Sequence, residues 1–255
     1  MATALVTGGT SGIGAAFARA LAARGDDLVL VARNLERLEE TAAELRQRHG
    51  IAVDVISADL ALHDDVMRVG ERLEDPERPI DLLVNNAGFG LHTKLLDPAV
   101  GVHEHALDVM CKAVLMLGGA AGRAMKARGS GQIINVSSAS GWIAQGHYSA
   151  IKAWVRVYSE SLANELHGTG ATVTALCPGW VRTEFHDRAG IRTSGLPSWV
   201  WVDADRLVEV ALQDAARGRA LSIPTKRWKF AVFLAAKGPH FAIRAVSRML
   251  TRSRD

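Results

Sequence analysis

Close to its start the chain passes from an apolar run, Ala4-Leu5-Val6, through Thr7-Gly-Gly-Thr-Ser-Gly-Ile-Gly14 into an alanine-rich helical pattern that reaches Arg24 and stops at Gly25. No other stretch constrains the fold as tightly. A strand that feeds a glycine turn and then a helix makes a phosphate cradle: the helix start offers unpaired backbone N–H groups and the positive end of its dipole, and glycines let a pyrophosphate approach. Gly8, Thr10, Ser11, Gly12, Ile13 and Gly14 are therefore the expected cofactor contacts. A tight turn with only a structural role is the alternative.

The same alternation of strand and helix continues along the 255 residues. Apolar runs at Leu28 to Val31, Ile51 to Ile56, Leu82 to Val84, Ile133 to Val136, Ala171 to Leu176 and Ala220 to Ile223 read as further strands. Helical patterns lie at Asn34 to His49, from about His63, at Val100 to Arg128, Tyr148 to His167 and Asp203 to Arg217. This predicts α/β architecture: a single-domain Rossmann fold with about seven parallel strands and helices on both faces, spanning residues 1–225. Residues 184–202, with Gly190, Gly195 and Pro197 among Ile191, Leu196, Trp199 and Trp201, read as a substrate lid or as a plain surface loop. Residues 226–255 form a basic amphipathic extension.

Composition narrows the setting. No Pro/Gly/Ser-rich linker divides the chain, and no charged leader or long apolar core opens it, so a cytoplasmic protein is expected. No apolar run approaches the roughly 20 residues that span a bilayer. Cys111 and Cys177 sit in apolar surroundings without metal or redox spacing, and His63, His103 and His105 form no metal constellation, so no metal is expected. The net charge of +3 is uneven: residues 219–255 hold nine Lys/Arg and one acid, a net +8, which leaves −5 for the rest. Basic stretches that carry Trp228, Phe230, Phe233 and Phe241 suit peripheral contact with an anionic membrane, an acidic acyl-bearing substrate, or packing on the body or a neighbouring subunit. No nucleic-acid-binding signature accompanies the charge.

Strand ends are where such a sheet binds its ligand. After the second strand stands Ala32-Arg33, with no acid to hold a ribose 2'-hydroxyl and a guanidinium suited to a 2'-phosphate, which favours NADP(H) over NAD(H). Arg33 could instead merely start the next helix. Asp59, followed by Leu60, could accept from an adenine amino group or cap the helix near His63. Asn85-Asn86-Ala87-Gly88 makes a small, polar corner suited to the adenosine half of the cofactor. Cys177-Pro178-Gly179-Trp180-Val181-Arg182-Thr183 turns rigidly after the sixth strand and offers the Thr183 hydroxyl to a carboxamide.

The chemistry is expected between Gln132 and Lys152. Ser137 and Ser138 follow a buried strand, and Tyr148 and Lys152, four apart, share one helix face. An ammonium near a phenol favours the phenolate, so the pair can exchange a proton with an alcohol or carbonyl oxygen. A chance surface Lys beside a core Tyr would show the same spacing.

Five motifs in order carry a resemblance over roughly residues 2–223: Thr7-Gly-x-x-x-Gly-Ile-Gly14, Asn85-Asn-Ala-Gly88, Ser138, Tyr148-x-x-x-Lys152 and Pro178-Gly179. The chain resembles the short-chain dehydrogenase/reductase family, and its Asn86 to Gly90 and Cys177 to Phe185 segments resemble a branch acting on ketones and alcohols of lipid-like molecules. The resemblance implies that Tyr148 is the general acid/base, that Lys152 lowers its pKa and binds the nicotinamide ribose, and that Ser138 orients the substrate oxygen. It implies a nicotinamide cofactor held by the residues above together with Tyr148, Lys152, Pro178, Gly179, Val181 and Thr183. It further implies a homodimer or homotetramer through the helices at Val100 to Arg128 and Tyr148 to His167. Two departures stand out. Met110 occupies the place of a usual Asn, and the Ser138-to-Tyr148 loop is shorter than usual by about one turn, which leaves Ser137 and Ser140 as alternative hydroxyls. A cofactor-binding scaffold with little turnover is the competing reading.

Overall fold

The structure, a computed structural model, describes residues 2–91, 93–183, 200–238 and 247. The elements run β1 (Thr3–Thr7), α1 (Gly12–Ala23), β2 (Asp27–Ala32), α2 (Leu35–His49), β3 (Val53–Ser57), α3 (His63–Glu74), β4 (Leu82–Asn85), α4 (Val100–Leu107), a π-helical turn (Asp108–Lys112) and α5 (Ala113–Arg128). They continue with β5 (Gly131–Val136), a 3-10 turn (Ala139–Trp142), α6 (His147–Glu165), β6 (Ala171–Leu176), α7 (Ala204–Ala216), β7 (Leu221–Ser222) and α8 (Lys226–Lys237). The seven strands form one sheet in the order β3-β2-β1-β4-β5-β6-β7, and every pairing is parallel. The chain reverses its direction of winding between β1 and β4, which opens a crevice at the strands' carboxyl ends.

Alternation within each strand builds two cores. Ala4, Val6, Leu28 and Leu30 point to one face, where α1 brings Phe17 and Leu21, α2 brings Leu38, and α7 brings Leu207 and Val208. Leu5, Val29 and Val31 point to the other, against Val66 and Val69 of α3 and Leu117 and Met125 of α5. A parallel strand buried on both faces needs this unbroken apolar run, which is why the strands could be read without a clean polar alternation. Helix ends follow local chemistry. Asn34 accepts from Arg37 N at the start of α2, which ends at left-handed Gly50; Asp203 caps α7 and Thr225 caps α8 in the same way.

Three expectations need adjustment. The segment from Val100 to Arg128 is not one α-helix, because Asp108–Lys112 widens into a π turn, with the N–H of Ala113 donating to Asp108 O. The wider turn rotates Met110 and Cys111 into the core. Asp59 does not cap α3, whose N-cap is Leu62; its carboxylate accepts from Ala61 N in the turn before the helix. Of the expected lid, residues 184–199 lie outside the described residues.

A polar thread crosses the middle of the sheet. Asn85 Nδ2 donates to Asn135 Oδ1 at 2.9 Å, Asn135 Nδ2 donates to Ser159 Oγ at 3.0 Å, and Ser159 Oγ donates to Val155 O at 2.6 Å. It ties the ends of β4 and β5 to α6, all below solvent. Buried polar groups cost little while each has its partner and much when one is removed. Asn135→Leu is therefore expected to orphan the amide of Asn85, at about 1–3 kcal/mol, and to leave Ser159 Oγ with only its bond to Val155 O. Chemical denaturation of the variant against the parent protein measures it.

Candidate active site

The glycine turn is built for close approach. Gly8 and Gly12 have φ of 66° and 55°, and a Cβ on Gly14 would sit 2.1 Å from Gly8 O. Only glycine fits these positions. Ser11 precedes α1 in extended conformation, and its side chain does not cap the helix, so the first-turn N–H groups at Gly12, Ile13 and Gly14 face the crevice without that partner. Thr10 lies in the turn itself, and the Ile13 side chain packs on the core. Across the crevice, Thr7 Oγ1 accepts from Asn86 N at 2.9 Å and Ala87 N at 3.0 Å, while Asn86 Nδ2 donates to Thr7 O at 2.9 Å. The Asn86 side chain thus braces the glycine turn rather than facing outward, leaving Ala87 and Gly88 as the open part of that corner.

The rim is assembled from other strand ends. Arg33 is exposed just beyond β2, and Asp59 is half-buried beyond β3. Leu60 turns its side chain into the core beside α3 and contributes no polar group. Thr183 stands over the start of α1, where a Cβ on Gly12 would lie 3.6 Å from the threonine Cβ. Pro178 O accepts from Ala139 N at 2.8 Å, and Val181 forms a parallel bridge with Val202, so the segment after β6 is held on both sides. The residues present fit a phosphate-bearing dinucleotide: a cradle that any Cβ would fill, an uncapped helix start, and a cation at the end of β2.

Ser138, Tyr148 and Lys152 converge at the end of β5. Ser138 caps the 3-10 turn by accepting from Ser140 N at 3.1 Å, and its hydroxyl also hydrogen-bonds the Tyr148 phenol. Ser137 instead donates to Lys152 O at 2.6 Å and braces α6, and the Ser140 hydroxyl is buried without a partner among the described residues. Geometry therefore pairs Ser138, and not its neighbours, with Tyr148. Lys152 is 5 % exposed; its Nζ donates to Val136 O at 2.9 Å and stands 5.6 Å from the Tyr148 ring centroid.

Burial dominates the electrostatics. It pushes the Tyr148 phenol well above its usual range, with the Ser138 hydrogen bond pulling partly back, so the phenol holds its proton at neutral pH. The groups that shift the phenol in the free protein are the surrounding apolar packing and Ser138, with burial the larger effect. Lys152 itself is lowered to about 8, first by burial, against which Cys111 and Cys177 act in the opposite sense.

Behind Tyr148 lies an apolar packing of Leu91, Ala106, Met110, Cys111 and Ile151. Met110 is fully buried, and a Cβ on Gly88 would meet its sulfur at 3.1 Å, so the thioether fills the space beside the open corner. His105 stacks on Phe89, but His103 places Nδ1 2.9 Å from Nδ1 of His147, the residue before Tyr148, and its Nε2 lies 3.2 Å from Lys94 O. Burial, then His103, lowers the His147 pKa. Asn135 and the His103–His147 pair are the site-supporting groups that sequence reasoning missed; an Asn inside an apolar strand was the available signal for the first. Among the described residues no group of three or more His, Cys, Asp or Glu could hold a metal ion.

The buried ammonium has a measurable consequence. Unfolded Lys152 takes up its proton below about pH 10.5, whereas the folded side chain does so only below about 8. Between these values the unfolded state binds more protons, so stability falls as pH falls through that window, and the folded ammonium costs about 3 kcal/mol at neutral pH. Lys152→Met is expected to melt a few degrees higher than the parent at pH 7, with the gain shrinking between pH 8 and 10.5. Thermal unfolding of both proteins across that range tests it.

Comparison with known proteins agrees with this geometry. The short chain dehydrogenase family matches residues 2–192. A putative ketoacyl reductase of the granaticin polyketide synthase from Streptomyces violaceoruber is 37% identical over 203 residues, covering 76% of this chain and 72% of that protein. A short-chain dehydrogenase from Sphingobium yanoikuyae, solved in complex with NADPH, superposes with a TM-score of 0.84 at 35% identity, covering 93% of this chain and 94% of that one. A bulky-bulky ketone specific alcohol dehydrogenase from Comamonas testosteroni superposes with a TM-score of 0.79 at 31% identity, covering 94% and 96%. The match to the family over most of the chain and the parallel seven-stranded sheet thus place this chain in the short-chain dehydrogenase family of oxidoreductases, to which it belongs.

Proposed function

We propose that the protein is an NADP(H)-dependent oxidoreductase that interconverts a ketone or aldehyde and an alcohol on an apolar, lipid-, steroid- or acyl-like substrate. The observation that carries this reading is the Ser138–Tyr148 hydrogen bond beside a buried Lys152, at the mouth of a glycine cradle. The nicotinamide cofactor, when bound, supplies or accepts the hydride. In reduction, Tyr148 gives its phenolic proton to the substrate oxygen as the carbonyl carbon takes the hydride, and the Ser138 hydroxyl donates to the same oxygen. A phenol that keeps its proton in the free protein suits that direction. Lys152 supplies a fixed positive charge beside the ring and a donor for a ribose hydroxyl. Gly8, Thr10, Ser11, Gly12, Ile13 and Gly14 would hold the pyrophosphate, Arg33 the 2'-phosphate, Asp59, Leu60 and Asn86 to Gly88 the adenosine side, and Pro178, Gly179, Val181 and Thr183 the nicotinamide side.

The preference for NADP(H) rests on Arg33, whose guanidinium has no hydrogen bond or ion pair among the described residues, and is supported by the NADPH carried by the Sphingobium relative. Trp180 and Trp201, whose ring centroids lie 5.9 Å apart after the Pro178-Gly179 corner, and the bulky-ketone preference of the Comamonas enzyme support an apolar substrate. Homodimers or homotetramers are expected through α5 and α6, where Leu115 and Val157 are exposed. One observation favours a second reading, a cofactor-binding scaffold with little turnover: Met110 puts an apolar wall where an amide would pass protons toward Lys152.

Tyr148→Phe is expected to lower carbonyl-dependent NADPH oxidation about 10²–10⁴-fold without loss of cofactor binding. Arg33→Ala is expected to weaken NADPH binding about tenfold or more and NADH binding little. Nicotinamide absorbance against a panel of medium-chain, steroid and acyl ketones reads the first, and fluorescence titration the second. NADPH binding with no turnover in either the parent protein or Met110→Asn would favour the scaffold.

A further inference from the structure

α8 meets the protein along one narrow stripe. Trp228, Val232 and Ala235, spaced by four and three residues, face inward. Trp228 is the anchor: its indole lies so close to Gly179 that a Cβ there would stand 1.9 Å from the ring, and its Nε1 donates to Val200 O at 3.4 Å. Gly179 belongs to the corner after β6, and the same helix packs on the 3-10 turn that follows Ser138. In the loop before Tyr148, Ala144 N donates to buried Ser247 at 3.2 Å. The helix is therefore fastened to two edges of the candidate site.

Its outward face has an unusual order for a water-facing surface. Phe230 and Phe233 are 63% and 59% exposed and project opposite Trp228, with Leu234, 51% exposed, beside them. Lys226, Lys229 and Lys237, all exposed, surround the two rings. Apolar rings in the centre and ammonium groups around them match the layering of a lipid surface, acyl chains beneath anionic headgroups. A second copy of the chain fits less well, because a twofold contact through α8 would bring the lysines of both copies together. At 12 residues the helix is too short to cross a bilayer and long enough to lie in its surface.

We propose that the outer face of α8 docks the protein on anionic lipid, holding the site edge formed by Gly179 and the 3-10 turn at the lipid boundary. The inference rests on the reading that the substrate is apolar only for its purpose; the docking itself stands on the helix. The experiment is co-sedimentation of the full chain with phosphatidylcholine vesicles, with and without about a third phosphatidylserine, at about 0.05 and 0.5 M salt. Two variants are compared: Phe230→Ser with Phe233→Ser, and Lys226→Gln with Lys229→Gln and Lys237→Gln. The expected result is binding that requires phosphatidylserine, weakens in salt, and falls about tenfold or more in each variant, while NADPH binding is unchanged. The proposal is overturned if the parent protein stays in solution with anionic vesicles, or if both variants bind as the parent does. It is also overturned if the phenylalanine variant changes only the oligomeric mass in light scattering, which would make a second copy the occupant. Vesicle binding is read without turnover, so failure to find a ketone substrate leaves this result intact.

Discussion

An ammonium group tied to the last carbonyl of a central strand is the constraint around which the site is arranged. Lys152 Nζ reaches Val136 O from α6, and the side chain is almost wholly removed from water. A charge in that position is costly unless backbone dipoles and a nearby ring compensate it. α6 must therefore lie close along β5, and Ser137, by donating to Lys152 O, holds it there from the strand side. Tyr148, one turn earlier on the same helix, is thereby placed against Ser138. The Asn85–Asn135–Ser159 thread supports the same helix from beneath the sheet. Stability is given up at Lys152, as expected where a site must hold a group that folding alone would expel.

The dryness of the site extends to its rear wall. Met110 and Cys111, turned inward by the π turn, replace polar contact with a packed apolar surface that includes Ile151. Desolvation then acts on both partners at once, raising the phenol and lowering the ammonium. The two shifts reverse the usual order of phenol and ammonium, so the phenol in the free protein keeps its proton at neutral pH.

Much of this was legible before any coordinates. Strands such as Leu28 to Val31 and helices such as Leu35–His49 are dictated by local periodicity, caps and glycine stops, and the glycine turn announces itself because only glycine tolerates φ above zero there. Ser138, Tyr148 and Lys152 were visible because a strand end and a four-residue helical spacing place them without help from distant chain. What escaped were partners far apart in sequence. The amide of Asn86 looked free to face a ligand and is spent on Thr7, 79 residues earlier. Asp59 looked like a helix cap and closes only its own turn.

The sequence by itself determined the order of elements, the parallel sheet and the residue types at each strand end, since these follow from short-range periodicity and backbone sterics. Tertiary structure alone decided the surroundings of the Tyr148 and Lys152 pair, because desolvation depends on what packs around them from α4, the π turn and Cys177 just after β6. It alone set Ser138 apart from Ser137 and Ser140, by spending the Ser137 hydroxyl on Lys152 O, leaving that of Ser140 without a partner among the described residues, and pairing Ser138 with Tyr148. It alone seated Trp228 on Gly179, a contact between residues 49 positions apart that no local pattern encodes and that only the packing of α8 against the end of β6 brings about.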